Sequence, residues 1–110
     1  MLSRSLTSVA AAIAAATVAT PAAAQQAQDV QALRGSALAA TCANCHGTQG
    51  QSVPDAAVPG LAGMPASYLV EQMRAFKAGT RPATVMHQIS KGFDDAQIDT
   101  LAAYFAARPR

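Results

Sequence analysis

No feature of this chain limits its fold more than the stretch TCANCHG at 41–47, which holds both of its cysteines and one of its two histidines. Two thiols at C-x-x-C spacing followed directly by an imidazole admit four readings. A thioredoxin-like dithiol needs a βαβ setting. A structural zinc site needs four ligands, and the second histidine, His87, lies far along the chain. A disulfide closed across so small a loop stabilises little. The remaining reading is C-x-x-C-H attachment of a c-type haem. Thiols at this spacing near a helix turn reach the two vinyl groups on one side of a porphyrin, and the adjacent His46 projects its imidazole toward the iron. Thioether bonds to Cys42 and Cys45 use up both thiols.

The compartment bears on this choice. The first residues, MLSRSLTSVAAAIAAATVATPAAA, carry one charge, Arg4, then an apolar run from Leu6 to Ala19. Pro21 breaks the run, and Ala22, Ala23 and Ala24 are the small residues a signal peptidase requires. The run is shorter than the roughly 18 residues of a membrane span. Residues 1–24 are therefore expected to be a secretory signal cleaved after about Ala24, leaving 25–110 as one exported, periplasmic domain without a membrane span. An oxidising compartment makes a loose thiol a liability. Losing Arg4 with the leader lowers the net charge from +2 to +1, too mild to argue for nucleic acid or a charged membrane. So short a domain has a thin core, and a large apolar cofactor would relieve that shortage.

Helical spacing dominates the rest. From Asp29, a plausible N-cap, Val30, Leu33, Ala37 and Leu38 fall on one helical face that leads into the cysteine motif. GTQGQSVPDAAVPGLAG at 47–63 has no period and reads as a long loop, uncommon in a compact domain unless it wraps something. After Pro65, Leu69, Met73 and Phe76 share a face, with Gly79 placed to end the helix. Pro82 could start a short helix and Gly92 stop it. Asp94 and Gln97 form a capping-box pattern ahead of Ile98, Leu101, Ala102 and Phe105. No segment alternates as a strand does, so the domain is expected to be all-α.

With His46 on one side of an iron, the sixth position has as candidates Met64, Met73, Met86, His87 and an empty site. Met73 sits on an apolar stripe and reads as core. Met64, at the loop end, is close in sequence to the attachment side. Met86 is far enough along for the chain to pass around the haem to its opposite face, and core packing is its alternative. His87 points elsewhere on a helical turn.

Here the sequence resembles a class I cytochrome c. The segments CANCHGTQG, PGLAGMPASYLVEQMRAFKAGTRPATVMHQISKGF and IDTLAAYFA resemble the cytochrome subunit of flavocytochrome c sulfide dehydrogenases and the related c4-like monohaem cytochromes, over about 37–107. The resemblance implies helices wrapped around one covalent haem c, with N- and C-terminal helices packed together. It implies Cys42 and Cys45 as thioether cysteines, His46 as proximal ligand and Met86 as the methionine ligand. It also implies that the Pro59 carbonyl accepts a hydrogen bond from His46, that Leu61 packs on the haem, and that Tyr68 reaches a propionate. Met64 stands where relatives often carry glutamine, which makes it a rival ligand. Histidine–methionine ligation favours reduced iron and keeps small ligands off the metal. The function so implied is one-electron transfer, with no catalysis by this chain alone, from an FAD-containing, sulfide-oxidising flavoprotein subunit. The alternatives are a free-standing soluble carrier serving a terminal oxidase, and a haem enzyme or gas sensor with an open sixth site.

Overall fold

A computed structural model describes residues 21–110. The expected leader lies outside the described residues as far as Thr20, and its last four residues open the first helix. Five α-helices follow one another: α1 (Pro21–Ala40), α2 (Ala43–His46), α3 (Ala66–Ala78), α4 (Met86–Lys91) and α5 (Asp95–Ala106), with a 3-10 turn at Thr48–Gly50 after α2. Among the described residues there is no strand, and no helix is long and apolar enough to cross a membrane. The domain is all-α, as its periodicity predicts.

The core lies where α1 and α3 meet α5. Ile98, Leu101, Ala102 and Phe105 are all buried, the i, i+3, i+4, i+7 stripe of an amphipathic helix. Leu101, Ala102 and Phe105 form one cluster with Ala39 of α1 and Leu69 of α3, and Leu38, Val70, Met73, Phe93 and Tyr104 pack around it. N- and C-terminal helices thus touch directly. Their crossing is close because Gly35 faces α5, where a Cβ would meet Tyr104 Cδ2 at 3.5 Å and Thr100 Cγ2 at 3.8 Å.

Two expectations for α1 need correction. Val30, Leu33 and Ala37 are exposed, and the buried residues are Gly35 and Ala39. Of the expected face Leu38 alone packs on the core; a close crossing selects the smallest side chains, and in an alanine-rich helix Val30 and Leu33 do not mark the inner face. Asp29 is not a cap. It lies inside a helix whose first turns are alanine- and glutamine-rich, and its Oδ1 accepts from Gln25 Nε2 one turn earlier at 3.2 Å.

The other boundaries follow local chemistry. Pro65 stands at the N-cap of α3, and Gly79 ends that helix in the left-handed conformation at φ 76°. α4 begins at Met86, later than Pro82 suggests, with Val85 as its N-cap residue. Thr84 and Val85 are β-branched, which slightly lowers their propensity for the helix interior. Asp94 and Gln97 close the capping box at α5, with Gln97 N donating to Asp94 Oδ1 at 2.7 Å and Asp94 N to Gln97 Oε1 at 2.9 Å. Lys77 Nζ donates to Phe93 O at 2.6 Å and ties α3 to the entry of α5.

Candidate haem-binding site

α1, held in the core by Ala39, carries the chain directly into the cysteine motif. Thr41 Oγ1 donates to Leu38 O at 3.0 Å and Cys42 N to Ala39 O at 3.0 Å, finishing the helix. One further turn, α2, follows, with His46 N donating to Cys42 O at 2.9 Å. That turn brings Cys42, half-buried, and Cys45, exposed, to one segment that ends in the buried His46. The two thiols are not bonded to each other.

The long loop then returns over the motif. Gly50 makes this possible: its φ is +78°, and a Cβ there would lie 2.7 Å from Phe105 Cδ1 and 3.0 Å from Ala62 N. Its carbonyl accepts from Leu61 N at 2.8 Å and Ala62 N at 3.1 Å, folding the loop back on itself. Pro59 is thereby carried to His46, whose Nδ1 donates to Pro59 O at 2.7 Å. A carbonyl only accepts, so Nδ1 carries a proton, and in the neutral imidazole Nε2 is then the nitrogen with the free lone pair. The ring is fixed and oriented as a metal ligand's is by its outer hydrogen bond. Ser52 Oγ lies 3.1 Å from His46 O and 3.0 Å from Val58 O. Gln51 Nε2 donates to Pro109 O at 2.9 Å and fastens the loop to the C-terminal tail.

Burial pushes the Cys42 thiol up, the nearby Cys45 adds to that, and the Thr41 hydroxyl opposes it. Redox-active cysteines are usually exposed thiolates of lowered pKa, whereas Cys42 is half-buried. Among the described residues no three His, Cys, Asp or Glu side chains gather to hold a metal ion, which leaves no donor set for structural zinc.

The remaining candidates are spread over other elements. Leu61 and Met64 are half-buried and pack on the core cluster, as does Met73, whose sulfur accepts from the buried Ser90 hydroxyl at 3.5 Å. Met86 stands outside that cluster as the first residue of α4, half-buried. Tyr68, on α3, is 44% exposed. His87 Nδ1 is buried with no hydrogen-bond partner among the described residues. Among the described residues the buried apolar ones are Ala39, Ala62, Leu69, Ile98, Leu101, Ala102 and Phe105, while Val53, Val85 and Ile89 remain exposed. A tethering motif, an oriented imidazole with a free lone pair, an orphaned nitrogen beside Met86 and so small a core all fit a large apolar prosthetic group.

The cytochrome c family profile matches residues 32–107. The chain belongs to the cytochrome c family. A single covalently bound haem c comes with that membership. The chain is 43% identical over 61 residues to a thiosulfate dehydrogenase electron acceptor of Thiomonas intermedia, covering 56% of this chain and 28% of that protein. It is 35% identical over 60 residues to the cytochrome subunit of sulfide dehydrogenase of Chlorobaculum tepidum, covering 54% of this chain and 53% of that one. The chain therefore spans about a quarter to a half of these relatives' lengths. The cytochrome c4 structure of Acidithiobacillus ferrooxidans superposes with a TM-score of 0.65 at 34% identity, covering 70% of this chain and 49% of that one. The domain is thus related to the cytochromes that serve sulfide and thiosulfate dehydrogenases.

Ser52 and Gln51 escape a reading of the sequence alone. Each is one polar residue in an aperiodic loop, and only the folded loop shows what it bonds.

Proposed function

We propose that this chain is a periplasmic one-electron carrier that accepts electrons from a sulfide-oxidising flavoprotein, with Cys42 and Cys45 as haem tethers and His46 and Met86 as axial ligands. The observation that supports this reading is the 2.7 Å bond from His46 Nδ1 to Pro59 O, which occupies Nδ1 and leaves Nε2 as the nitrogen that a metal could use. Covalently held haem supplies an iron centre that changes by one electron between its ferric and ferrous states. The chain's own part is to hold and shield that centre. α2 presents both tethers and His46 on one helical turn. Met64 and Met73 are engaged in packing, which leaves Met86 as the half-buried thioether outside the core cluster. A filled sixth position suits electron transfer and excludes small ligands. Leu61 and Tyr68 are assigned to the haem surround by resemblance. A leader ending near Ala24 would deliver the domain to the periplasm.

A second donor class has specific support. The relative with 43% identity accepts electrons from a thiosulfate dehydrogenase. Rapid mixing separates the two. Oxidised cytochrome is offered to a sulfide dehydrogenase flavoprotein with sulfide, or to a thiosulfate dehydrogenase with thiosulfate, and haem reduction is followed. Reduction at least ten times faster with the flavoprotein supports the proposal, a tenfold preference being about 1.4 kcal/mol of discrimination. The reverse order assigns the chain to thiosulfate oxidation. Tight co-purification with a flavin-containing chain would separate a bound subunit from a free-standing carrier. Rapid carbon monoxide binding by the native reduced protein would overturn the filled sixth position and favour a gas-binding role.

A further inference from the structure

The loop between His46 and Pro59 is pinned at its midpoint. Ser52 lies six residues from His46 and six from Val58, and its hydroxyl reaches both of their carbonyls, at 3.1 Å and 3.0 Å. A serine hydroxyl has one hydrogen, so it is shared between two acceptors that belong to the two ends of the loop. Val58 immediately precedes Pro59, and the proline ring fixes φ. Holding the Val58 carbonyl therefore sets where the Pro59 carbonyl points, leaving one soft backbone angle between them. At the other end, the same hydroxyl holds the backbone of the residue whose ring must meet that carbonyl. Ser52 is half-buried, so water competes weakly for the shared hydrogen.

We infer that Ser52 is a positioning residue for His46: its hydroxyl keeps the Pro59 carbonyl in line with Nδ1 and so controls the orientation and electron-donating strength of the imidazole. This rests on the reading of His46 as an iron ligand. Neighbouring bonds do other work. Gln51 ties the loop to Pro109, and the Gly50 carbonyl ties its returning end at Leu61 and Ala62. Neither spans the two residues whose groups must meet. A strong Nδ1–H···O bond pushes charge onto the ring and favours oxidised iron, so a weakened bond should raise the midpoint potential.

The test uses the full-length holoprotein with its haem covalently attached. Exchange of the His46 Nδ1 proton in the reduced form is followed by NMR, and the midpoint potential by redox titration. Ser52→Ala should exchange that proton about tenfold faster, the factor that loss of one ordinary hydrogen bond carries, and shift the potential upward. Ser52→Thr, which keeps the hydroxyl, should restore both. Gln51→Ala, which loosens the loop at the tail, should leave both near native. Unchanged exchange and potential in Ser52→Ala would overturn the inference, as would an equal effect of Gln51→Ala. The unsubstituted protein offers a check that no folding defect can spoil. Its Nδ1 proton should be protected at least as well as the Leu61 amide, because ring and loop open together. A protection factor lower than that amide's, each rate being taken against its own intrinsic exchange rate, means the ring turns away while the loop stays closed, and overturns the inference. An unsubstituted holoprotein without the signals of an iron-bound His46 imidazole overturns the ligand assignment itself, a failure distinct from either.

Discussion

At the scale of single residues, the site is governed by what the backbone permits around His46. Gly50 is the clearest case, since it combines φ +78° with the near-contact of Phe105. Gly50→Ala should cost about 3 kcal/mol, from the left-handed conformation and overpacking together, read as a lowered denaturation midpoint of the holoprotein. A loss below about 0.5 kcal/mol, the scale of an ordinary surface change, would mean the loop is not seated on Phe105 as described. The cysteines and His46 are legible from the sequence because their chemistry depends on adjacency, and adjacency is what a sequence records. Pro59 is reached only through resemblance, and Ser52 not at all, because both act across a loop whose path depends on Gly50.

Elements were legible to different depths. α5 is readable in full, since its capping box and its large apolar stripe are both local signals. Asp94→Ala should destabilise by about 1 kcal/mol through loss of the cap, measured by chemical denaturation, and an unchanged midpoint would contradict the capping role. α1 is partly misread at the same level of effort, because its buried residues are Gly35 and Ala39, and of the larger apolar residues Leu38 packs on the core while Val30 and Leu33 are exposed. That packing makes an asymmetric prediction. A Cβ at Gly35 meets Tyr104 at ordinary contact distance, so Gly35→Ala should be tolerated, with up to about 1 kcal/mol of helix propensity in its favour. Gly35→Leu should cost about 1–3 kcal/mol by forcing α1 off α5. Equal stability of the two variants in thermal melts would contradict the close crossing.

At the scale of the whole molecule, the described residues 21–110 bury few apolar side chains for a domain of that length. A core of seven such residues, three of them alanines, is small against the conformational entropy of ordering a domain. The attached haem is thus part of the fold as well as of the function. A Cys42→Ser, Cys45→Ser double variant should lose its cooperative thermal transition and its near-ultraviolet circular dichroism; a sharp melt without haem would contradict this. The sequence implies the cofactor through its motif and hints at it through its size, whereas the ligand on the far side of the iron is a matter of three-dimensional path. The most direct test of the account is therefore the weak long-wavelength red band of methionine-to-iron charge transfer in the oxidised protein. The account predicts that the band is present in the native protein and lost in Met86→Ala while the haem stays covalently attached. A band that survives in Met86→Ala, or disappears in Met64→Ala instead, would contradict it.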